Sequence, residues 1–338
     1  MRQSFSKLAL ARYVVLRLDS KHLVTQSISY MNSSRIAKIE WPTIGLILVV
    51  YLVIGALVWF HGIIPWWLIL PIGAYAACLQ SSLQHEVLHG HPTRNRLVNE
   101  ALVFVVPHLW LPYGRYRDTH LAHHNDANLT CPVLDPESYY ILPDSWAAMP
   151  GFKRLLYTFN NTLFGRMLIG PAVGIVQFWS NEILQMLRGR RDIVKCWSLF
   201  VLSTIIVFSY VMWAGMPIWQ YILLIAYPGV SLALVRSYCE HQAAEDVGSR
   251  TIVVEASWFW SLLFLNNNLH IAHHDRPAMP WYQLPAFYRV ERTRFLAQNK
   301  NYVIMGYSEI FRRYFFTAKE PLAYPNMEWV NRNSSGGA

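Results

Sequence analysis

Residues 43–60 read TIGLILVVYLVIGALVWF, eighteen consecutive positions without a charged side chain. A helix needs about 17–25 mainly apolar residues to cross a bilayer, so this stretch predicts a membrane span. A second span is predicted over residues 64–83, and residues 197–213 and 219–235 predict another pair. Each pair is joined by a very short turn, which indicates an all-α membrane protein with four transmembrane helices in two hairpins. Tryptophans near the predicted outer ends match an aromatic belt: Trp59, Trp66, Trp67, Trp213 and Trp219.

The composition and the charge pattern agree with a membrane protein. Hydrophobic residues make up 54% of the chain and charged residues 14%, whereas soluble domains carry about 25% charged residues. The basic residues lie before the first span and between the hairpins, and the two hairpin turns hold none. This pattern predicts a multi-pass integral membrane protein (of the cell membrane, if bacterial) with both termini and the inter-hairpin segment in the cytosol. The net charge of +9 is then a topology signal, and no nucleic-acid partner is expected.

The spans suggest three parts of the chain. Residues 1–42 are predicted to be a cytosolic basic segment, either an interfacial helix or a disordered leader, without the apolar core of a signal peptide. Residues 43–290 are the predicted catalytic membrane domain, and residues 291–338 a cytosolic C-terminal segment. Two further apolar stretches, 101–112 and 162–179, are predicted to be interfacial or half-inserted helices, since one extra crossing would place the histidine clusters of the chain on opposite sides of the membrane.

Nine of the thirteen histidines form three tight groups and one lone residue. The groups read HxxxH, HxxHH and HxxHH, so that on a helix each group presents its imidazoles on one face. Imidazole binds iron, zinc, copper and nickel, and nine ligands are too many for one ion but about right for two. A helix that starts at residue 64 or 219 reaches the first group or the lone histidine after about 30 Å, one hydrocarbon thickness. The sequence therefore predicts a dinuclear polyhistidine centre on one side of the membrane.

These motifs resemble the histidine boxes of the integral-membrane fatty acid desaturase and hydroxylase superfamily. The resemblance covers about residues 43–288 and rests on HEVLHGH (85–91), THLAHHND (119–126), RSYCEHQ (236–242) and NNNLHIAHHDRPAMPWYQLP (266–285). The lone histidine and HGHPTRN (89–95) resemble the branch of rhizopine oxygenase-like proteins and bacterial lipid hydroxylases more than they resemble acyl-CoA desaturases. The resemblance implies a cytosolic helical cap with two non-haem irons, whose ligands are His85, His89, His120, His123, His124, His241, His270, His273 and His274.

The same resemblance implies the reaction and its partners. The enzyme would use O2 and two external electrons to desaturate or hydroxylate a fatty acyl or other lipid substrate. A separate donor, a ferredoxin with its reductase or a cytochrome, would supply the electrons. Ring nitrogens that do not bind metal usually donate to a nearby acceptor. The candidates for such supporting roles are Glu86, His91, Asp126, Glu240, Asn267 and Asp275. Each has a competing interpretation: the acidic residues could be ordinary surface carboxylates, His91 could be a packing residue, and residues 266–268 could form a helix cap or a turn.

Two other functions fit part of the pattern. One is an oxygenase of a non-acyl substrate, related to the rhizopine oxygenase-like branch. The other is an intramembrane zinc protease, because HEVLH matches HExxH with Glu86 as the general base and Asp135 as a distant acidic ligand. The protease interpretation leaves both HxxHH groups unexplained.

Overall fold

The computed structural model describes residues 39–325. The expectations for residues 1–38 and 326–338 lie outside the described residues. The helices are α1 Trp41–Trp59, α2 Trp66–Leu88, α3 Arg96–Leu102, α4 Tyr113–His123, α5 Pro143–Ala147, α6 Gly151–Asn160, α7 Leu163–Leu168, α8 Gly170–Leu187, α9 Arg191–Trp213, α10 Ile218–Ser237, α11 Trp258–Leu263, α12 His270–Asp275, α13 Leu284–Gln298 and α14 Tyr307–Tyr314. The middle of α10, Ile222–Ala226, is π-helical. Two short 3₁₀ turns, Asp126–Asn128 and Val247–Arg250, and a two-residue parallel pairing of β1 Val253–Val254 with β2 Val303–Ile304 complete the described elements.

Four described helices, α1, α2, α9 and α10, are long and apolar enough to cross a bilayer, as the sequence predicts. Their outward faces carry large exposed apolar side chains such as Leu52 and Trp213, which suit contact with lipid. Helix α2 continues past the predicted end at residue 83 to Leu88. Its last turns are polar but buried inside the protein, so the hydropathy pattern stops before the helix does.

Helices α2 and α10 approach each other closely because small residues lie at their interface. A Cβ atom on Gly73 would lie 2.7 Å from Ile225, and one on Gly229 would lie 2.5 Å from the Cβ of Ala77. Small residues let spanning helices pack backbone to backbone where no hydrophobic effect drives them together. Consequently, the C-terminal end of α2 and the C-terminal end of α10 lie side by side, and both lead directly into histidine-bearing segments.

The predicted helix over residues 101–112 is wrong beyond its first two residues. Helix α3 ends at Leu102, and an irregular segment follows and packs against the spans. Prolines at 107 and 112 remove backbone donors that a helix requires. Side chains of the spans instead form hydrogen bonds with the backbone of this segment. Tyr51 and Tyr221 donate to the carbonyls of residues 105 and 107, and Ser203 accepts from the N–H of residue 106. Irregular backbone is stable at this depth only with such partners.

The second of these two apolar stretches, 162–179, is helical and forms α7 and the first part of α8. Helix α7 contacts α10, since Tyr227 and Ser231 donate hydrogen bonds to the carbonyls of Leu168 and Met167. The segment between the hairpins and the segment after α10 thus form a helical cap at the end of the four-helix bundle where α2 and α10 terminate.

Candidate metal centre

Four segments bring histidines to this end of the bundle. The last turn of α2 and its C-terminal cap residue hold the first histidine group, and α4 with its own C-terminal cap residue holds the second. The lone His241 follows α10 and forms an isolated bridge with Thr251. Helix α12, at the third group, begins with His270. The structure brings all nine predicted histidines together, in one group of five and one group of four.

The group of five consists of His85, His89, His120, His124 and His273. Their Nε2 atoms converge: His120 Nε2 lies 2.9 Å from that of His85 and 3.0 Å from that of His124, which lies 3.1 Å from that of His273. The Nε2 of His89 is buried and has no hydrogen-bond partner among the described residues. All five rings therefore surround one point.

The group of four consists of His123, His241, His270 and His274. His241 Nε2 lies 3.0 Å from the Nε2 atoms of both His123 and His270. The Nε2 of His274 is buried and, within residues 39–325, without a partner. A second point of convergence thus lies beside the first.

The helical spacing explains how each HxxHH box contributes to both groups. Residues four apart on a helix face the same way, and the residue between them is rotated aside. His120 and His124 accordingly enter the group of five, while His123 enters the group of four. In the last box the roles are exchanged, because His270 and His274 join the group of four and His273 joins the group of five.

The other ring nitrogens of several histidines are held from outside the cluster. The Nδ1 of His123 donates to Asp135 at 2.9 Å and that of His274 to Asp126 at 2.8 Å. His120 Nδ1 lies 3.1 Å from a carboxylate oxygen of Glu137, and His270 Nδ1 lies 3.0 Å from the side-chain oxygen of Asn267. A neutral imidazole with its proton on Nδ1 presents a lone pair at Nε2. Each of these four rings therefore directs an Nε2 lone pair into the cluster, where a metal cation could accept it.

The electrostatics of the cluster favour neutral rings. Among the histidines outside the spans, burial lowers the pKa of six well below the ordinary value: His89, His120, His124, His241, His270 and His273. Burial also acts to lower the pKa of His123, but the carboxylates of Asp135 and Glu137 raise it to about 9. The donor set, made of imidazoles with acceptors behind them, thus fits two metal cations such as those of the predicted dinuclear centre.

The six residues predicted in supporting roles lie in different places. Asp126 and Asn267 contact histidines of the cluster. Glu240 lies 3.7 Å from the Nδ1 of His270 and 3.3 Å from Arg236. The carboxylate of Asp275 instead accepts two hydrogen bonds from Arg294, at 3.1 and 3.2 Å.

Glu86 and His91 belong to a third, separate group. His91 Nδ1 lies 2.7 Å from a carboxylate oxygen of Glu40, and its Nε2 lies 3.8 Å from Glu86. The three side chains are buried, and none is in the groups of five and four. Glu86 also accepts a hydrogen bond from the backbone N–H of Trp281.

The neighbouring asparagines act on backbone carbonyls. Asn266 donates to the carbonyl of Trp281, and Asn268 donates to that of Val254. Neither is the N-cap of α12, because Leu269 holds that position without a side-chain cap. Of the cap or turn expected for residues 266–268, the structure has the turn, in which Asn266 takes a left-handed conformation with φ at +59°.

Sequence reasoning missed Glu137 and Glu40 and gave Asp135 only a role in the protease alternative. Asp135 and Glu137 follow the second box by fewer than twenty residues, in a loop that contains two prolines, Pro132 and Pro136. Acidic residues in the loop that leaves a histidine box are the signal that could have identified them. No comparable signal marks Glu40, which lies far from the boxes in the sequence.

A comparison with known families agrees with this geometry. The family model described as fatty acid desaturase matches residues 61–305, which include all three boxes, the lone histidine and three of the four spans. No curated protein matches the chain significantly. The family match implies oxidoreductase activity at a membrane, and it covers more than half of the sequence. The chain belongs to the fatty acid desaturase family.

Proposed function

We propose that this protein is an O2-dependent di-iron enzyme that desaturates or hydroxylates a fatty acyl or other lipid substrate. The observation that carries the proposal is the convergence of nine histidines, each offering one ring nitrogen, on two adjacent points. Family membership supports the oxidoreductase class, and the four spans support a substrate that partitions into the bilayer.

The proposed ligands of one iron are the group of five and those of the other the group of four. When bound, the two irons would supply the reduction of O2 and the oxidation of an unactivated C–H bond. All protein ligands in this assignment are neutral nitrogen donors. Such a set would leave more positive charge on the metal pair than a carboxylate-rich set does.

The residues behind the histidines orient the rings and fix the position of their protons. Asp135, Glu137 and Asp126 accept hydrogen bonds from Nδ1 atoms, so that each Nε2 keeps its lone pair for the metal. The Nδ1 of His241 lies 3.3 Å from the hydroxyl of Thr251, and Lys319 donates to the backbone carbonyl of His241. These contacts hold the lone histidine in place, because it lies outside the described helices. Burial of the ligands excludes water from the centre.

The choice between desaturation and hydroxylation is made after the first hydrogen abstraction, which the two reactions share. An oxygenase acting on a non-acyl substrate is the alternative within the same chemistry. The hydrolytic alternative is less well supported. His85 and His89 share their point with three more histidines, and the carboxylate of Glu86 faces His91 and Trp281 instead of a position where it could activate water.

We further propose that the metal centre and both termini face the cytosol, where a ferredoxin with its reductase or a cytochrome delivers the electrons. The support is the charge pattern, since the hairpin turns lack Lys and Arg and the flanking segments are rich in them.

Metal analysis of the purified protein in lipid nanodiscs, combined with lipid profiling of cells that express it, tests the proposal. We expect two irons per chain and a new unsaturated or hydroxylated lipid that depends on O2. A single zinc without iron would contradict the di-iron assignment and support the hydrolytic alternative. As the control, the His123→Ala variant should give neither the second iron nor the product.

A further inference from the structure

Helix α6 presents an apolar face that the described part of the protein leaves largely uncovered; only at its end does the ring of Phe159 lie 6.0 Å from that of Phe164 in α7. Its sequence is GFKRLLYTFN, and Phe152, Leu155, Leu156 and Phe159 follow the spacing i, i+3, i+4, i+7 of one helix face. These side chains are 70%, 73%, 42% and 36% exposed, and no residue of the helix is buried. The helix is attached through another face, where the hydroxyl of Tyr157 accepts a hydrogen bond from Gln177 of α8.

The position of α6 relative to the spans follows from the next helix. The last carbonyls of α7 accept hydrogen bonds from Tyr227 and Ser231 of α10, at 2.6 and 2.7 Å. At about 1.5 Å per residue, these donors lie about 15 and 9 Å from the end of α10 at Ser237, the end next to the histidine cluster. Helix α7 therefore lies beside the part of the span that occupies the leaflet on the side of the metal centre. Helix α6 ends at the level of the end of α10, because Tyr238, the residue after Ser237, donates to the carbonyl of Asn161 at 2.9 Å. This level is the surface of the same leaflet.

The charges of α6 suit the same environment. Lys153 and Arg154 lie away from the apolar face and are exposed, and neither forms an ion pair with another residue of the described range. A helix with an apolar face on one side and cations on the other binds in the plane of a membrane, with its apolar side chains at the headgroup–acyl boundary. Long basic side chains can reach up to phosphate groups from this position, and anionic lipids strengthen such binding.

We infer that α6 is an interfacial anchor that binds anionic phospholipids in the membrane leaflet on the side of the metal centre. Its four apolar side chains contact acyl chains, and Lys153 and Arg154 contact the phosphates. The anchor continues the lipid-facing surface of the spans into the cap. It depends on the membrane topology and on no assignment of metal ligands, so it can fail or succeed independently of the proposed reaction.

Spin labels on the full-length protein in nanodiscs test the inference. Single cysteines replace Lys153, Arg154, Leu155 or Leu156 in separate variants, and the unsubstituted protein, labelled in parallel, gives the background from its own cysteines. The nanodiscs contain equal parts of phosphatidylcholine and phosphatidylglycerol. We expect the ratio of collision rates with O2 to those with a water-soluble nickel chelate to be several-fold higher at 155 and 156 than at 153 and 154.

Two results would overturn the inference. Equal exposure of all four labels to the nickel chelate would place α6 in water. Protection of 155 and 156 from both reagents would mean that a protein surface, from a second copy or a partner, covers the helix. A second measurement tests the charges: K153E combined with R154E should shift the label at 155 toward the nickel chelate in these nanodiscs, and an unchanged ratio would refute the contact with anionic phosphate. The matched control is K195E, which reverses a cation outside α6 and should leave the ratio unchanged.

Discussion

The carboxylate of Glu86 accepts a hydrogen bond from the backbone N–H of Trp281 at 2.8 Å, across 195 positions of sequence. Trp281 follows the third histidine box, and its indole N–H donates to Thr43 at the start of α1. Glu40, the residue immediately before α1, pairs with His91 of the first box. A buried polar network thus joins the first span, the first box and the segment after the third box. It lies beside the metal centre without contributing to either histidine group.

Removing the imidazole from this network should destabilise the fold more than it alters the metal content. In His91→Ala, the carboxylates of Glu40 and Glu86 remain buried without their partner, and breaking a buried ion pair costs about 3–5 kcal/mol. We expect a clear fall in the thermal unfolding temperature, with iron still bound in the folded fraction. Thermal unfolding in detergent, followed by metal analysis of the folded protein, measures both.

The double variant Glu40→Gln/His91→Ala is the matched control, because it removes one of the stranded charges together with the imidazole. It should recover part of the lost stability. If His91→Ala instead lost all its iron at an unchanged unfolding temperature, His91 would have to be counted among the ligands.

Ligand histidines should respond differently from other histidines. His123→Ala and His273→Ala each remove an Nε2 from one convergence point, so we expect loss of iron and of turnover. His241→Ala should do the same, since its Nε2 faces two other histidines at 3.0 Å. His61→Ala is the control, because His61 lies in the hairpin turn, outside both histidine groups, with its Nδ1 2.9 Å from the carbonyl oxygen of Val58. Full activity of the His241 variant would reduce the ligand set to eight.

The acceptors behind the rings should tune the affinity for metal. Asp135→Asn replaces a carboxylate that accepts from His123 and from the backbone N–H groups of Thr130 and Glu137. An amide supports the required tautomer less well, and loss of such a partner lowers metal affinity about 10–100-fold. Iron loss in competition with a chelator measures the effect. Asp275→Asn, whose carboxylate pairs with Arg294, is the control and should retain iron like the unsubstituted protein.

The topology can be tested with cysteine labelling in intact cells and in opened membranes. A cysteine at Asn125, next to the second box, should react with a membrane-impermeant reagent only after the membranes are opened. A cysteine at Gly62 should react in intact cells, because this residue is in the turn between α1 and α2 and has free space around its Cβ position. Labelling of both positions from the same side would contradict the hairpin topology.

Much of this arrangement can be predicted from local sequence. Whether an apolar run is long enough to span a bilayer does not depend on the rest of the chain, so the four spans of the described chain follow from hydropathy. The histidine groups follow from their helical spacing. Contacts that depend on the path of the chain do not follow in this way. The pairing of Glu40 with His91 spans 51 positions, and the irregular segment after α3 is stable because hydroxyl groups from three different spans bind its backbone.

The sharing of each HxxHH box between the two histidine groups limits how the centre can change. A small rotation of α4 would move His120 and His124 with respect to one point and His123 with respect to the other at the same time. The same holds for α12 and its three histidines. The two points therefore cannot be adjusted separately by moving either helix. Under the proposed di-iron assignment, a mutation that changes the affinity of one metal position by moving a helix would change the other as well.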